Sequence, residues 1–368
     1  SVIAKYAPPF IRVIGESWPF PHQRIAYEHA SLRHHRRLCP KAVPEIVDFD
    51  AHQALLVTED FRDLTIARRA FIEGRTLPRF AEQLGHFLAH SLFFTSDLAL
   101  PTTEKMALVA EFAGNAELCA TTEAVIFNGP YWQAPLNRHT PSLEPLVRQV
   151  RNDTAWHAAA ADLNLIFRSK TQALIHGDLH TGSIMVDEQN TKVIDPEWAF
   201  HGPMGFDLGA VIGNLLIAYA SQPGHGKQRE GNAQARADYA AWLLSTIEAL
   251  WHSFTEEFRT LAHQQRDMSD DALLTPKLFD EQAVDAYLDR YLADLLADTA
   301  GFAGAKMTRR VIGISHVEDL EEITDEADRV ACETQVLAIA RALVVDRHAI
   351  KTISSLTDLA RQLPAITA

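Results

Sequence analysis

Three oxygen-bearing side chains stand near one another in the middle of the chain. Asp178 and Ser183 lie in one polar segment, and Asp195 follows one short hairpin later. The residues between them, 184–194, read as a strand, a turn and a return strand. A loop and hairpin of this kind hold the three side chains beside one another in space. Such a group predicts phosphoryl transfer, which needs oxygen ligands for Mg²⁺ and an acceptor for a hydroxyl proton.

Each of these side chains matches a role in the kinase pattern. There a His-x-Asp segment supplies the proton acceptor, which is Asp178 here, and an Asn five residues later holds metal. Ser183 occupies the position of that Asn. Asp195 takes the place of the second metal ligand, and Glu197 offers another carboxylate two residues on. Because side chains at i and i+2 point the same way in an extended backbone, we expect Asp195 and Glu197 to bind Mg²⁺ jointly.

A second group of residues near the start of the chain is typical of a phosphate-binding site. Residues 1–6 alternate as a strand that carries Lys5, and 21–38 read as a helix with Glu28 at its centre. In kinases the strand lysine contacts the α- and β-phosphates, and a glutamate on the next helix steadies it. We therefore expect a Lys5–Glu28 ion pair. The phosphate-covering loop precedes the lysine strand in such enzymes, so we expect the first strands of that lobe to be missing here.

The chain contains two longer sequence runs, His176-Gly-Asp-Leu-His-Thr-Gly-Ser-Ile-Met185 and Asp195-Pro-Glu-Trp-Ala-Phe-His-Gly-Pro-Met-Gly-Phe-Asp207. Together they resemble the 5-methylthioribose kinase family, a branch of the aminoglycoside-phosphotransferase-like kinases. The Asp-x-Glu in place of Asp-Phe-Gly, and the Ser in place of Asn, are features of that branch. The resemblance implies an α+β, protein-kinase-like fold of two lobes, with a small β lobe truncated at its start and a large α-rich lobe.

The resemblance also implies a reaction. ATP, with Mg²⁺, would phosphorylate the 1-hydroxyl of 5-methylthioribose for methionine salvage, and Asp178 would orient or deprotonate that hydroxyl. Arg309 and Arg310 would bind the sugar and offset charge at its anomeric oxygen, a role suited to guanidinium groups. The other interpretation is that the two arginines form salt bridges with nearby acids such as Glu318 and Asp319.

The resemblance further divides the chain, into part of a small lobe, a hinge and a large catalytic lobe, over 1–58, 59–63 and 64–368. A short apolar strand ends just before the hinge. The backbone of Glu59, Asp60 and Phe61 is expected to receive adenine, although Glu59 and Asp60 alone would read as a solvated loop.

Several other polar residues are expected to support structure. By the resemblance, Asp207 bonds back to the backbone of the catalytic loop. His176 and His180 are expected to brace that loop by hydrogen bonds, which is a commoner role than binding metal. His86 and His90 lie four apart on a predicted helix, but without the zinc-protease Glu or a third ligand nearby in sequence. We interpret them as helix surface.

Composition limits the partners. Asp and Glu (48) outnumber Lys and Arg (34), so the net charge of −14 disfavours nucleic acid and anionic membranes. The longest apolar run, 209–220, is about half of a bilayer span, and 222–231 reads as a surface loop. Three scattered cysteines indicate a reducing cytosol. We predict a cytoplasmic protein with no nucleic-acid or membrane partner, and the resemblance implies a homodimer.

Two other functions stay open. The chain could phosphorylate a different small alcohol, such as a 5-deoxypentose, choline, homoserine or an aminoglycoside. The negative charge would suit a cationic substrate, whereas the Arg309–Arg310 pair argues against one. Alternatively it could bind nucleotide without catalysis, because Ser183 replaces the usual Asn and the phosphate-covering loop is expected to be missing.

Overall fold

The computed structural model describes residues 1–11, 15–266 and 273–363. The strands are β1 (Val2–Tyr6), β2 (Phe10–Ile11), β3 (Gly15–Pro19), β4 (Ile46–Asp50), β5 (Leu55–Glu59), β6 (Thr65–Ile66), β7 (Ala173–Ile175), β8 (Ile184–Val186), β9 (Thr191–Val193) and β10 (Phe200–Gly202). The α-helices are α1 (Arg24–Leu38), α2 (Ala67–Ile72), α3 (Phe80–Phe93), α4 (Thr102–Phe112), α5 (Ala116–Thr122), α6 (Glu144–Asn152), α7 (Thr154–Ser169), α8 (Met204–Glu230), α9 (Ala237–Arg266), α10 (Glu281–Ile312), α11 (Glu318–Glu321), α12 (Glu326–Val345) and α13 (Ile353–Gln362).

A small antiparallel sheet with the strand order β1-β5-β4 lies at the start of the chain. Lys5 on β1 stands opposite Leu56 on β5. Helix α1 packs on β4 and β5, and its Ile25 and Leu32 share the buried core with Leu56. The predicted strand and helix are therefore present, and the β2–β3 hairpin lies between them in sequence.

Short strands at the centre of the chain position residues 176–183, which we name the catalytic loop because they include the candidate catalytic residue Asp178. Strand β7 is fully buried and pairs antiparallel with β10, while β8 pairs with both β6 and β9. The predicted 184–194 hairpin is thus confirmed. Residues 176–183 connect β7 to β8, and residues 194–199 connect β9 to β10. These two connections carry the candidate catalytic and metal-binding side chains.

Helices α8 and α10 form the centre of the helix-rich part. Gly205, Gly209 and Gly213 recur at every fourth position of α8 and face α10. A Cβ atom at Gly209 would lie 2.7 Å from the carbonyl oxygen of Thr299, so this close approach requires a residue without a side chain. The C-terminal part of α10 is thereby held against α8. Small sheets beside a helical majority give the predicted α+β class.

Helix α8 is longer than the sequence pattern predicts. The predicted surface loop over 222–231 is wrong, because the helix continues to Glu230 and ends at Gly231. Gly224 lies inside the structure, where a Cβ atom would come within 2.6 Å of Ile323. By length and composition α8 could cross a membrane, the only such helix in the described residues, but 94% of its apolar window is buried within the protein. It has the burial of a core helix.

Candidate active site

The catalytic loop has a backbone conformation that requires glycine at position 177. Gly177 has φ +83°, and a Cβ atom there would lie 2.1 Å from the carbonyl oxygen of Trp198. The carboxylate of Asp207 accepts the N–H groups of His176 and Gly177 at 2.6 and 3.0 Å. The predicted bond from Asp207 to this loop is confirmed. Burial raises the pKa of Asp207, while the two N–H donors favour its charged form.

His176 links the catalytic loop to the segment that carries Asp195. Its Nδ1 accepts the N–H of Asp178 at 3.3 Å, and its Nε2 donates to the carbonyl of Ile194 at 2.9 Å. The N–H of Ile194 in turn donates to the carbonyl of Ser183 at 3.0 Å. His176 therefore braces the loop as predicted. The same bonds keep the backbones at Asp178 and just before Asp195 at opposite ends of one imidazole ring.

The Asp178 carboxylate is surrounded by donors. Lys306 Nζ lies 3.1 Å from its Oδ1, and His180 Nε2 lies 3.4 Å from its Oδ2. Lys306 is buried, and its ammonium lies 4.2 Å from the centre of the Phe206 ring. Burial favours a raised pKa for Asp178, but its neighbours hold the pKa well below the usual range; they are Lys306, His180 and Arg310. Asp178 is therefore an ionised acceptor at neutral pH.

His180 and Ser183 complete the loop. The N–H of Gly182 donates to His180 Nδ1 at 3.0 Å, which leaves the ring proton on Nε2, facing Asp178. Burial lowers the pKa of His180 to about 4, so the ring is neutral. Its predicted bracing role is confirmed. The Ser183 hydroxyl is buried and donates to the Asp178 carbonyl at 3.2 Å, which is a structural contact; a nucleotide or metal contact of Ser183 stays a prediction.

Arg309 and Arg310 lie near the end of α10 and share the electrostatic field of Asp178. Lys306 stands three and four residues before them, so the three cations meet on adjoining faces of the helix. Burial lowers the pKa of Arg309, and it lowers that of Arg310 to about 9, while Asp178 favours the charged form of both. Arg310 also donates to the carbonyl of Ser315 at 2.7 Å. Both arginines thus lie near enough to Asp178 to act on its charge, while their predicted contact with the sugar stays a prediction.

Arg68, a residue of α2, forms ion pairs with Glu318 and Asp319, the two acids that were the alternative partners of Arg309 and Arg310. Its Nη1 lies 3.0 Å from Glu318 and its Nε lies 3.1 Å from Asp319. Sequence reasoning missed both Arg68 and Lys306. Lys306 had a signal, since it is a lysine in an apolar run one helical turn before Arg310. Arg68 had none, because it lies 250 residues from Glu318.

A second charged cluster joins β1, α1 and the segment after β9. Lys5 Nζ lies 2.8 Å from Glu28 Oε2 and 2.7 Å from Asp195 Oδ1, so the predicted ion pair is present. Burial raises the pKa of Glu28 to about 7, and Lys5 opposes the shift. Burial disfavours the charge on Lys5, but three carboxylates raise its pKa above the ordinary value; they belong to Glu28, Asp195 and Glu197.

The backbone of Asp195 differs from the extended form that the sequence suggested. Strand β9 ends at Val193, Asp195 has φ +63° and Glu197 lies in a turn. The alternation argument for joint metal binding is therefore wrong. The two carboxylates nevertheless share a neighbourhood, because both act on Lys5. Asp195 is half-exposed, and Glu197 accepts Arg24 Nε at 3.2 Å.

The candidate hinge connects β5 to β6. The N–H of Glu59 donates to the carbonyl of Glu45 at 2.9 Å, and the carbonyl of Phe61 accepts the N–H of Leu64 at 2.8 Å. Asp60 lies between these two bonded residues. The segment is thus a short, ordered link, and its predicted contact with adenine stays a prediction.

A lysine on a small sheet is paired with a glutamate of the following helix, and His176 links the segment of Asp195, which contacts that lysine, to the loop of the ionised Asp178. This arrangement is that of a phosphotransferase. Residues 17–245 match the phosphotransferase enzyme family.

Curated relatives refine that class. Methylthioribose kinase 1 of Oryza sativa subsp. japonica is 41% identical over 355 residues, which cover 96% of this chain and 82% of that protein. A methylthioribose kinase of Escherichia coli is 39% identical over 98% of this chain and 85% of its own length. One of Yersinia pseudotuberculosis is 36% identical over 99% and 85%. The chain belongs to the methylthioribose kinase family, as its two motif runs predicted.

Proposed function

We propose that the chain transfers the γ-phosphoryl group of ATP to the 1-hydroxyl of 5-methylthioribose and so forms 5-methylthioribose 1-phosphate for methionine salvage. The observation that carries the proposal is Asp178, an ionised carboxylate that faces Lys306 and is bonded through His176 to the segment before Asp195. The methylthioribose kinases that align with nearly the whole chain support the choice of sugar.

Asp178 suits the hydroxyl side of this reaction. Oxygen O1 forms a bond to the γ-phosphorus while the bond from that phosphorus to the bridging oxygen of ADP breaks, and the O1 proton passes to the Asp178 carboxylate and from there to solvent. In a loose transition state the nucleophile keeps its proton until late, so accurate alignment contributes more than a strong base. The low pKa of Asp178 fits a group that accepts and orients the O1–H bond. The hydroxyl is also a hemiacetal, which loses its proton more readily than a simple alcohol.

The cations beside Asp178 fit the sugar. As the proton leaves, negative charge grows on O1, and preorganised positive groups stabilise it most in a water-poor pocket. Arg309 and Arg310 supply planar donor groups for sugar oxygens, while Lys306 keeps the Asp178 carboxylate charged and in place. A cationic substrate such as choline would be repelled by this cluster.

The Lys5 cluster fits the nucleotide. Lys5 would contact the α- and β-phosphates, and Asp195 with Glu197 would hold Mg²⁺, since both offer the hard oxygen donors that this ion prefers. Asp195 is half-exposed and can exchange its contact with Lys5 for a ligand. When bound, Mg²⁺ neutralises charge on the β- and γ-phosphates. Adenine would use hinge groups other than the Glu59 N–H and the Phe61 carbonyl, which already have protein partners.

A substrate panel tests the proposal. Purified protein is incubated with ATP, Mg²⁺ and each candidate alcohol, and the products are identified by phosphorus NMR. We expect one anomeric phosphate from methylthioribose and little turnover of choline, homoserine or an aminoglycoside. Turnover of 5-deoxypentoses measures the selectivity for the 5-substituent. Preference for a cationic alcohol, or ATP binding without any phosphoryl transfer, would contradict the assignment.

We further infer a cytoplasmic homodimer without a nucleic-acid or membrane partner, and a division of the chain at hinge 59–63 between 1–58 and 64–368. The net charge of −14 supports the absence of polyanionic partners. Size-exclusion chromatography with light scattering measures the mass of the protein in solution, and the mass of a monomer would contradict the dimer.

A further inference from the structure

A close contact between α3 and α9 brings three potential metal ligands together, away from the Lys5 and Asp178 clusters. Gly85 makes the contact possible, because a Cβ atom there would lie 2.6 Å from Ser253 Oγ. His86 and His90 follow on α3, one helical turn apart, and Glu257 lies one turn beyond Ser253 on α9. The two histidines therefore face a carboxylate that sequence spacing alone could not supply.

The three side chains are close enough to share one ion. His90 Nε2 lies 2.7 Å from Glu257 Oε1, and His86 Nδ1 lies 3.7 Å from the same oxygen. The histidine ring centroids are 4.0 Å apart, and one ligand atom from each residue falls within 4.8 Å of the other two. In a tetrahedral zinc shell, bonds of about 2.0–2.2 Å place ligand atoms roughly 3.3 Å apart. The ligand atoms must therefore move closer together, and the exposed side chain of His86 has room to turn toward the other two.

We propose that His86, His90 and Glu257 form a binding site for a divalent transition-metal ion, with Zn²⁺ as the best fit. Two imidazole nitrogens with one carboxylate oxygen form a ligand set that suits Zn²⁺, whereas Mg²⁺ prefers a shell of oxygen ligands alone. The ion replaces the direct hydrogen bond between His90 and Glu257 and joins α3 to α9. This ligand set is chemically different from the all-oxygen pair Asp195 and Glu197, so the two sites can be distinguished by the metal they select.

The position of the site gives it a structural role and an entry path. His86 is exposed and Glu257 is partly exposed, and both line an open groove, so an ion can enter and keep water as a fourth ligand. One turn before His86, Gln83 of α3 donates to the carbonyl of Gln189 at 2.8 Å, in the turn between β8 and β9. A bound ion therefore stabilises the helix pair that supports this hairpin.

Metal titration of the untagged, chelator-treated protein tests the site. Excess Mg²⁺ is included so that the Asp195 and Glu197 carboxylates are occupied. Zn²⁺ binding is measured by calorimetry, and Co²⁺ binding by its visible absorption. The variants are His86→Ala, His90→Ala and Glu257→Gln. His263→Ala is the matched control. His263 lies on the same helix as Glu257, α9, but it pairs with Asp285 of α10 at 2.9 Å and is not one of the three proposed metal ligands.

We expect one equivalent of Zn²⁺ per chain, a rise in Tm on binding and a Co²⁺ spectrum typical of mixed nitrogen and oxygen ligands. Each triad variant should weaken binding by about 10–100-fold or more and remove the rise in Tm, while His263→Ala keeps both. His86→Ala provides a folding-safe variant, since it replaces an exposed helical side chain with alanine. Absence of saturable binding in the wild-type protein, or equal affinity in the triad variants, would overturn the proposal.

Discussion

Replacement of Lys306 by methionine is a sharp test of how the site controls Asp178. The change keeps an unbranched chain of similar length against Phe206 and removes only the buried ammonium. Lys306 contacts Asp178 and lies outside the Lys5 cluster, so it acts as a positioning residue on the sugar side. We expect Lys306→Met to reduce kcat/KM for methylthioribose far more than it changes the KM for ATP.

The magnitude follows from the 3.1 Å separation of Lys306 Nζ and Asp178 Oδ1. At an effective dielectric constant of about 20, this distance gives an attraction of about 5 kcal/mol. Asp178 is 23% exposed and keeps His180 and Arg310 as neighbours. We therefore expect Lys306→Met to remove roughly half of this attraction from the stabilisation of the transition state. A loss of about 2.5 kcal/mol in the transition state corresponds to about 70-fold in rate. The free energy of unfolding should change less, because the variant also removes the cost of burying an ammonium group.

The assay is steady-state ADP release with each substrate varied in turn, at several pH values. Without Lys306 the pKa of Asp178 rises toward its ordinary value, so the acid limb of kcat/KM should move to higher pH. Lys170→Met is the control, because it removes a lysine that pairs with Asp298 of the same helix α10, outside the Asp178 cluster. The reasoning is refuted if Lys306→Met keeps kcat/KM within about threefold of the wild-type value with an unchanged pH profile.

Three further predictions concern the same two clusters. Asp178→Asn should fold normally, lose about 10²–10⁴-fold in kcat and keep its affinity for ATP; loss of ATP binding together with turnover would contradict its role. In the wild-type protein the KM for ATP should rise as the pH falls below about 7, because Glu28 becomes neutral and releases Lys5. In Glu28→Gln the KM for ATP should be high and independent of pH. The same pH dependence of this KM in both proteins would disprove the prediction. Gly177→Ala should abolish most turnover and lower Tm, because its Cβ atom would meet the Trp198 carbonyl. The control Gly231→Ala has φ +72° and open space around it, so it carries only a conformational cost of about 1–2 kcal/mol. Equal effects of the two changes on activity would show that the contact with Trp198 is unimportant.

The parts of the site that could be predicted from sequence depend on short-range chemistry. The loop and hairpin that carry Asp178 and Asp195 lie within one continuous stretch, so motif spacing and strand alternation were sufficient. The Lys5–Glu28 pair was predictable because the kinase pattern places a lysine on a strand and its partner glutamate on the following helix. The family itself followed from two runs whose residue types are constrained by phosphoryl transfer.

The remainder depends on tertiary contacts. Lys306 reaches Asp178 across 128 residues, through the glycine-lined contact of α8 with α10, and local patterns do not report such a contact. The left-handed backbone at Asp195 overrode the extended geometry assumed from its neighbours. The glycines after position 222 suggested a loop because glycine is common in turns, yet Gly224 serves close helix packing. Glu257 became a partner of His86 and His90 only when α9 packed on α3.

The most direct test of the central claim is a co-crystal structure with a non-hydrolysable ATP analogue, Mg²⁺ and methylthioribose. The account predicts that O1 of the sugar lies about 3 Å from the Asp178 carboxylate, with the γ-phosphate in line beyond it and the metal on Asp195. A sugar bound with O1 turned away from Asp178, or a metal held elsewhere in the molecule, would contradict it.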